Sequence, residues 1–133
     1  MKKTKRSKKS RTWVIKQHRD QFFKKSKTLG YRSRSAFKLI ELNKKFKFIK
    51  KDSNLIDVGS CPGGWSQVSR NIIKSGKIVS LDLKLMQNIE GVKFIHDDFL
   101  NTSAKDKILI YLNNKVDVVI SDTAANTTGN QSL

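Results

Sequence analysis

Residues 56–65 read Ile-Asp-Val-Gly-Ser-Cys-Pro-Gly-Gly-Trp, an apolar run that passes directly into a turn of small residues. Glycine has no Cβ and accepts positive φ, so a strand that ends this way lets a ligand approach its backbone closely. This is the mark of a nucleotide-type site. The spacing is Asp-x-Gly-x-x-x-Gly, from Asp57 through Gly59 to Gly63, rather than G-x-G-x-x-G. Pro62 also stands where a pyrophosphate-binding turn keeps a free N–H. A cofactor without phosphates fits such a turn better, and S-adenosylmethionine, an adenosine bearing a charged amino-acid tail, is the leading candidate. A plain strand-to-helix turn built from Gly, Ser and Pro is the alternative. A nicotinamide-binding domain is a third reading, disfavoured by Pro62.

Around this junction strands and helices alternate. Apolar periodicity predicts helices over 12–26 and 33–47, the second capped by Ser33, with Ala36, Phe37 and Ile40 at helical spacing. A turn at 51–53 leads into a strand over 54–58. A helix over 65–74, stopped by Ser75-Gly76, precedes a second strand over 77–83. A loop at 84–91 is too short to hold much helix. A third strand over 92–95, an amphipathic helix over 103–113 and a fourth strand over 116–121 follow. This order indicates an α/β fold with a mostly parallel sheet. In such a sheet ligands lie beyond the carboxyl ends of the strands, and Asp57, Asp82, Asp98 and Asp122 all stand at or near those ends. Asp82, 19 residues after Gly63, is placed to accept hydrogen bonds from both ribose hydroxyls of an adenosine, Asp98 from an adenine amino group, and Asp122 to face a reacting methyl. Taken singly, each could be an exposed strand-end carboxylate or a helix cap.

At 133 residues the chain holds one domain at most. Cys61 is the sole cysteine, which excludes an internal disulfide framework, and His18 and His96 lack the partner spacing of a zinc site, so no metal is expected. No apolar stretch reaches the ~20 residues of a membrane span, and the basic N-terminus lacks the apolar segment of a secretory signal. A cytoplasmic location is the expectation. The net charge of +17 is strongly segregated: residues 1–52 carry 20 Lys and Arg against 3 acids, whereas residues 53–133 carry 8 of each. Residues 1–11 read as a disordered basic arm. Beyond it basic residues interleave with Trp13, Phe22, Phe23, Tyr31 and Phe37. RNA is the expected partner, since lysine and arginine release counterions from phosphates and aromatic rings stack on unpaired bases, although packing of those rings against the core fits them better. A solubilising tail and an acidic membrane surface are the other readings of the charge.

Four segments carry a resemblance to a known family: Trp-Val-Ile-Lys-Gln-His at 13–18, Tyr-Arg-Ser-Arg-Ser-Ala-Phe-Lys-Leu at 31–39, Pro-Gly-Gly-Trp-Ser-Gln at 62–67 and Ser-Asp-Thr-Ala-Ala-Asn at 121–126. Together they closely resemble the FtsJ/RrmJ family of ribose 2′-O-methyltransferases, whose bacterial members modify a uridine in large-subunit ribosomal RNA. The resemblance runs from about residue 10 to the last residue. It implies a Rossmann-like, S-adenosylmethionine-dependent methyltransferase fold, represented by its first four strands and preceded by a basic helical extension. Residues 12–133 would be the N-terminal portion of that domain, with RNA-binding helices over 12–52 and the cofactor-binding core over 53–133. Cofactor positions carry over as Gly59, Gly63, Trp65, Asp82, Asp98 and Asp122. The family's active site is a lysine, aspartate, lysine, glutamate tetrad, in which Lys38 matches the first lysine and Asp122 the aspartate. Cys61 and Ala125 stand where relatives often carry Ala and Pro. In the family the second lysine and the glutamate lie on three further strands. The resemblance therefore implies that this chain is a truncated product, or that the rest lies in another sequence. The expected partners are ribosomal RNA or the large ribosomal subunit, with self-association through an uncovered fourth strand.

Overall fold

The computed structural model describes residues 30–122, so the basic arm, the helix expected over 12–26 and the segment after Asp122 lie outside the described residues. Within it, helix α1 (Ala36–Phe46) leads to strand β1 (Leu55–Val58), helix α2 (Gly64–Ile72) and strand β2 (Ile78–Asp82). Strand β3 (Val92–His96), helix α3 (Thr102–Tyr111) and strand β4 (Val118–Ser121) complete the order. The four strands form one sheet in the order β3-β2-β1-β4, with every neighbouring pair parallel. Leu55 pairs with Ile78 on one side and Val118 on the other.

The two-residue period of a strand divides the apolar residues into two cores. Leu55, Ile78 and Ile120 face α1 and α2, where they pack with Ala36, Leu39, Trp65 and Val68. Ile56, Val79, Leu81 and Ile95 face the opposite way, against Ala104, Ile108 and Leu112 of α3 and the turn after it. The result is three layers, with α1 and α2 on one face of the sheet and α3 on the other. Tyr31 packs against the first core and meets the half-buried Phe37 edge-on at 5.6 Å, whereas Trp13, Phe22 and Phe23 lie outside the described residues.

Local chemistry explains where elements begin and end. Helix α1 starts three residues later than expected: Ser35, not Ser33, is its N-cap, and the Ser33 hydroxyl is instead 2.8 Å from that of Ser35. Helix α2 stops at Ile72, where Ile73 turns extended, before the Ser75-Gly76 pair is reached. Gly76 serves a close crossing, since a Cβ there would lie 1.7 Å from the carbonyl oxygen of Ser53. The carbonyl of Lys51 gathers the N–H groups of Lys74, Ser75 and Gly76 at that crossing. Helix α3 is less amphipathic than expected, burying Ala104 and Ile108 while Ile110 is 74 % exposed.

The chain lays β1, β2 and β3 outward in one direction and then returns to place β4 on the other side of β1. That reversal opens a crevice at the carboxyl ends of β1 and β4, the position where open parallel sheets bind ligands.

Candidate functional site

A cavity of about 330 Å³ occupies this crevice, within the ~300–1,000 Å³ usual for small-molecule sites. Its lining comes from five places. β1 and the turn after it supply Asp57, Gly59, Ser60, Cys61 and Pro62, and β2 and its following residues supply Asp82 and Lys84. Asp122 comes from the end of β4, and Ser33 and Ser35 come from the segment before α1, with Gly64 and Trp65 opening α2.

The glycine turn is shaped by what crosses it. Gly63 has φ +117°, and a Cβ there would sit 3.1 Å from Arg32 Nη1, Ile89 Cδ1 and Met86 Sδ. At Gly64 a Cβ would lie 2.1 Å from Ser33 Oγ. The paired glycines leave room for the side chains of Arg32, Ser33, Met86 and Ile89, which crowd the turn. Trp65, 8 % exposed, fastens the same two segments, its indole N–H donating to the Ser35 carbonyl at 2.8 Å.

The N–H groups of residues 59–61 are already used. Gly59 and Ser60 donate to the Leu81 carbonyl at 2.8 and 3.1 Å, and Cys61 donates to Asp82 Oδ2 at 2.8 Å. Pro62 has none. Residues 59–62 consequently offer no nest of amides to a phosphate. Asp82 braces both neighbouring loops, since its Oδ1 accepts the Lys84 N–H at 2.9 Å. Each of its oxygens retains a further lone pair for a ligand hydroxyl.

Asp57 lies beneath the cavity and is 1 % exposed. The Ser66 hydroxyl donates to its Oδ2 at 2.6 Å, and Ser80 Oγ lies 2.5 Å from Ser66 Oγ. With one proton on Ser66, Ser80 supplies the second hydrogen bond, giving a buried relay from β2 through α2 to β1. Asp57 Oδ1 has no partner. Burial pushes this carboxyl up to about 7 against the lowering effect of the Ser66 hydrogen bond, and the nearby Asp122 and Asp82 charges push the same way.

Of the residues expected from the sequence, Gly59, Trp65, Asp82 and Asp122 line one cavity, with Gly63 in the turn behind it. Asp98 and Lys38 do not line it. Asp98 is half-buried in the turn before α3, its Oδ1 accepting the Leu100 N–H at 3.0 Å. Lys38 is exposed in the first turn of α1, three residues beyond Ser35. Sequence reasoning noted Asp57 only as a strand-end acid and missed Ser33, Ser35, Lys84 and the Ser66–Ser80 pair. No local signal marks those serines, because their role comes from crossings between distant segments. Among the described residues, no group of three or more His, Cys, Asp or Glu side chains is arranged to hold a metal ion.

A parallel α/β sheet with an acidic small-molecule cleft at the carboxyl ends of β1, β2 and β4 places the chain among Rossmann-like domains. The family is specific: residues 31–133 match the FtsJ-like methyltransferase model, and the chain belongs to that family. It is 48 % identical over 120 residues to ribosomal RNA large subunit methyltransferase E of Pelagibacter ubique, an overlap of 90 % of this chain and 59 % of that protein. The protein of the same name from Rickettsia akari is 39 % identical over 134 residues, 96 % of this chain and 59 % of the relative. The chain thus spans about three-fifths of the length of these relatives. A crystal structure of a protein from Plasmodium falciparum assigned as a ribosomal RNA methyltransferase superposes with a TM-score of 0.64 at 36 % identity, covering 75 % of this chain and 60 % of that one.

Proposed function

We propose that the cleft binds S-adenosylmethionine and that the chain forms the cofactor-binding part of a cytoplasmic ribosomal RNA methyltransferase acting on a uridine ribose 2′-hydroxyl of the large subunit. The charge of the cleft carries this reading: among the described residues that line it, Asp82, Asp122 and the partly ionised Asp57 face a single cation, Lys84, in a chain of net charge +17. Such a cavity repels a polyphosphate and suits a ligand with a sulfonium and an ammonium. The unpartnered Asp57 Oδ1 and the consumed amides of residues 59–61 support the same choice. The relatives' names support ribosomal RNA as the substrate.

The bound cofactor supplies a methyl group already activated by its sulfonium. The protein's work is to hold that methyl in line with a ribose hydroxyl and to assist departure of the hydroxyl proton. In this reading Gly59 and Gly63 let the ligand lie against the backbone, Trp65 walls the cleft, and Asp82 accepts from the adenosine ribose. Asp98 receives the adenine end beyond the described cavity. Asp122, at the tip of β4, borders the methyl end, and Lys38, three residues beyond the cavity-lining Ser35, orients the RNA ribose. The uncapped start of α2 is left for the single carboxylate of the amino-acid tail.

Calorimetric titration of the chain with S-adenosylmethionine, ATP and NAD tests the cofactor. Binding of the first alone is expected, and Asp82→Ala should weaken it by ~1.5–3 kcal/mol, the size of a hydrogen bond to a charged group. Preferential binding of ATP or NAD would overturn the reading. Transfer of tritiated methyl to ribosomal RNA then separates an active enzyme from a chain that binds RNA and cofactor without turnover.

A further inference from the structure

Arg32 is bonded to backbone carbonyls on two separate loops. Its Nη1 donates to the Pro62 carbonyl at 3.1 Å and to the Gln87 carbonyl at 2.6 Å, and its Nη2 donates to the Asn88 carbonyl at 2.9 Å. Pro62 belongs to the glycine turn after β1. Gln87 and Asn88 belong to the 84–91 loop, which carries no helix or strand and whose first residue, Lys84, lines the cavity. The backbone of Arg32 is fixed as well: its N–H donates to Gln67 Oε1 at 2.7 Å, and Gln67 Nε2 returns a bond to the Gly30 carbonyl at 3.0 Å. The crowding at Gly63 closes the arrangement, since Arg32, Met86 and Ile89 all press on the space where its side chain would be.

We propose that Arg32 is a positioning residue for the cleft, a clasp of three carbonyls that holds the 84–91 loop against the glycine turn and so sets the separation of the two walls between which the ligand lies. The sequence places Arg32 and Arg34 together in a basic, RNA-directed segment. Along the chain before α1 they diverge: Arg34 is exposed, whereas Arg32 turns its charge onto the protein. A guanidinium suits this task because its planar fork spreads donors over acceptors that a single ammonium cannot reach together, and bonds from a charged donor are the stronger kind. The ligand itself rests on the cofactor reading of the cleft; the clasp does not.

Amide hydrogen exchange on the whole chain, with S-adenosylmethionine affinity measured in parallel, tests this on Arg32→Ala, Arg32→Lys and Arg34→Ala. Arg32→Ala should speed exchange within 84–91 while leaving β2 and α3 protected, and should raise the Kd for S-adenosylmethionine about tenfold, the loss expected of one to two charge-assisted bonds acting indirectly. Arg32→Lys should restore little of either, and Arg34→Ala should change neither. Should Arg32→Ala fail to fold, Arg32→Gln, which keeps one amide donor, carries the same comparison. Unchanged exchange in 84–91 in the Arg32 variants, or an equal effect of Arg34→Ala, would overturn the proposal. Absence of cofactor binding in the unsubstituted chain would instead remove the cofactor reading, leaving the exchange measurement to decide the clasp.

Discussion

Asp57 ties the stability of the domain to pH. Its carboxyl is buried, with one oxygen bonded to Ser66 and the other unpartnered, so the charged form is disfavoured and the group is pushed from 3.8 up to about 7. Between those values the folded chain retains a proton that the unfolded chain has released. Stability is therefore greatest at the acidic end and falls as pH rises toward about 7, by up to ~1.4 kcal/mol per pH step, levelling above it. Asp57→Asn keeps an acceptor for Ser66 without the ionisation. Urea melts at pH 5, 6, 7 and 8 should show a falling midpoint for the unsubstituted chain and a flatter one for Asp57→Asn, which should be the more stable of the two at pH 8. Parallel slopes would show that Asp57 does not govern the window. Asp97 is shifted the other way: the Asp98 N–H and the Asn101 amide hold it below the usual carboxylate range.

At the scale of elements, the start of α2 is decided by the segment that crosses it. Alanine favours a helix over glycine by ~1 kcal/mol, so propensity alone predicts that Gly64→Ala stabilises α2. Sterics predict the reverse, with the new Cβ only 2.1 Å from Ser33 Oγ. We expect Gly64→Ala to lower the thermal midpoint, with a loss of ~1–3 kcal/mol typical of overpacking. The double variant Gly64→Ala, Ser33→Gly should recover part of that loss, because it removes the opposing side chain. A single variant as stable as the parent would show that the crossing yields readily. The helix boundaries were legible in the sequence to within a few residues, and the discrepancies share one cause. Ser33 is drawn from its expected capping role by the Ser35 hydroxyl and the glycine turn, and Gly76 accommodates the chain at Ser53.

Across the whole molecule, charge is divided between two regions. The excess of basic residues lies in 1–52, while the cleft is lined by three carboxylates. On the proposed function, RNA binding and cofactor binding should therefore respond separately to salt. Deleting residues 2–11 should flatten the dependence of log K for RNA on log salt by roughly 0.7–0.9 for each phosphate that the arm would otherwise neutralise. Cofactor affinity should stay unchanged. Filter binding over a salt series would measure the first and calorimetry the second, and an unaltered slope would mean that the arm does not meet RNA.

The alternation of strands and helices, the parallel sheet and the cavity-lining ends of β1, β2 and β4 were all legible along the chain, because side-chain periodicity and glycine placement are local properties. So were Asp82 and Asp122 as cavity residues, since each closes a strand. Three features are set by the fold rather than by local pattern. Arg32 meets loops 30 and 55 or more residues away, Ser66 and Ser80 meet Asp57 across two elements, and Asp98 turns into a loop that the described cavity does not reach. Local pattern states which side chains a segment carries and how they alternate. Which of them loses its water, and what it then finds as a partner, depends on the segments that packing lays across it.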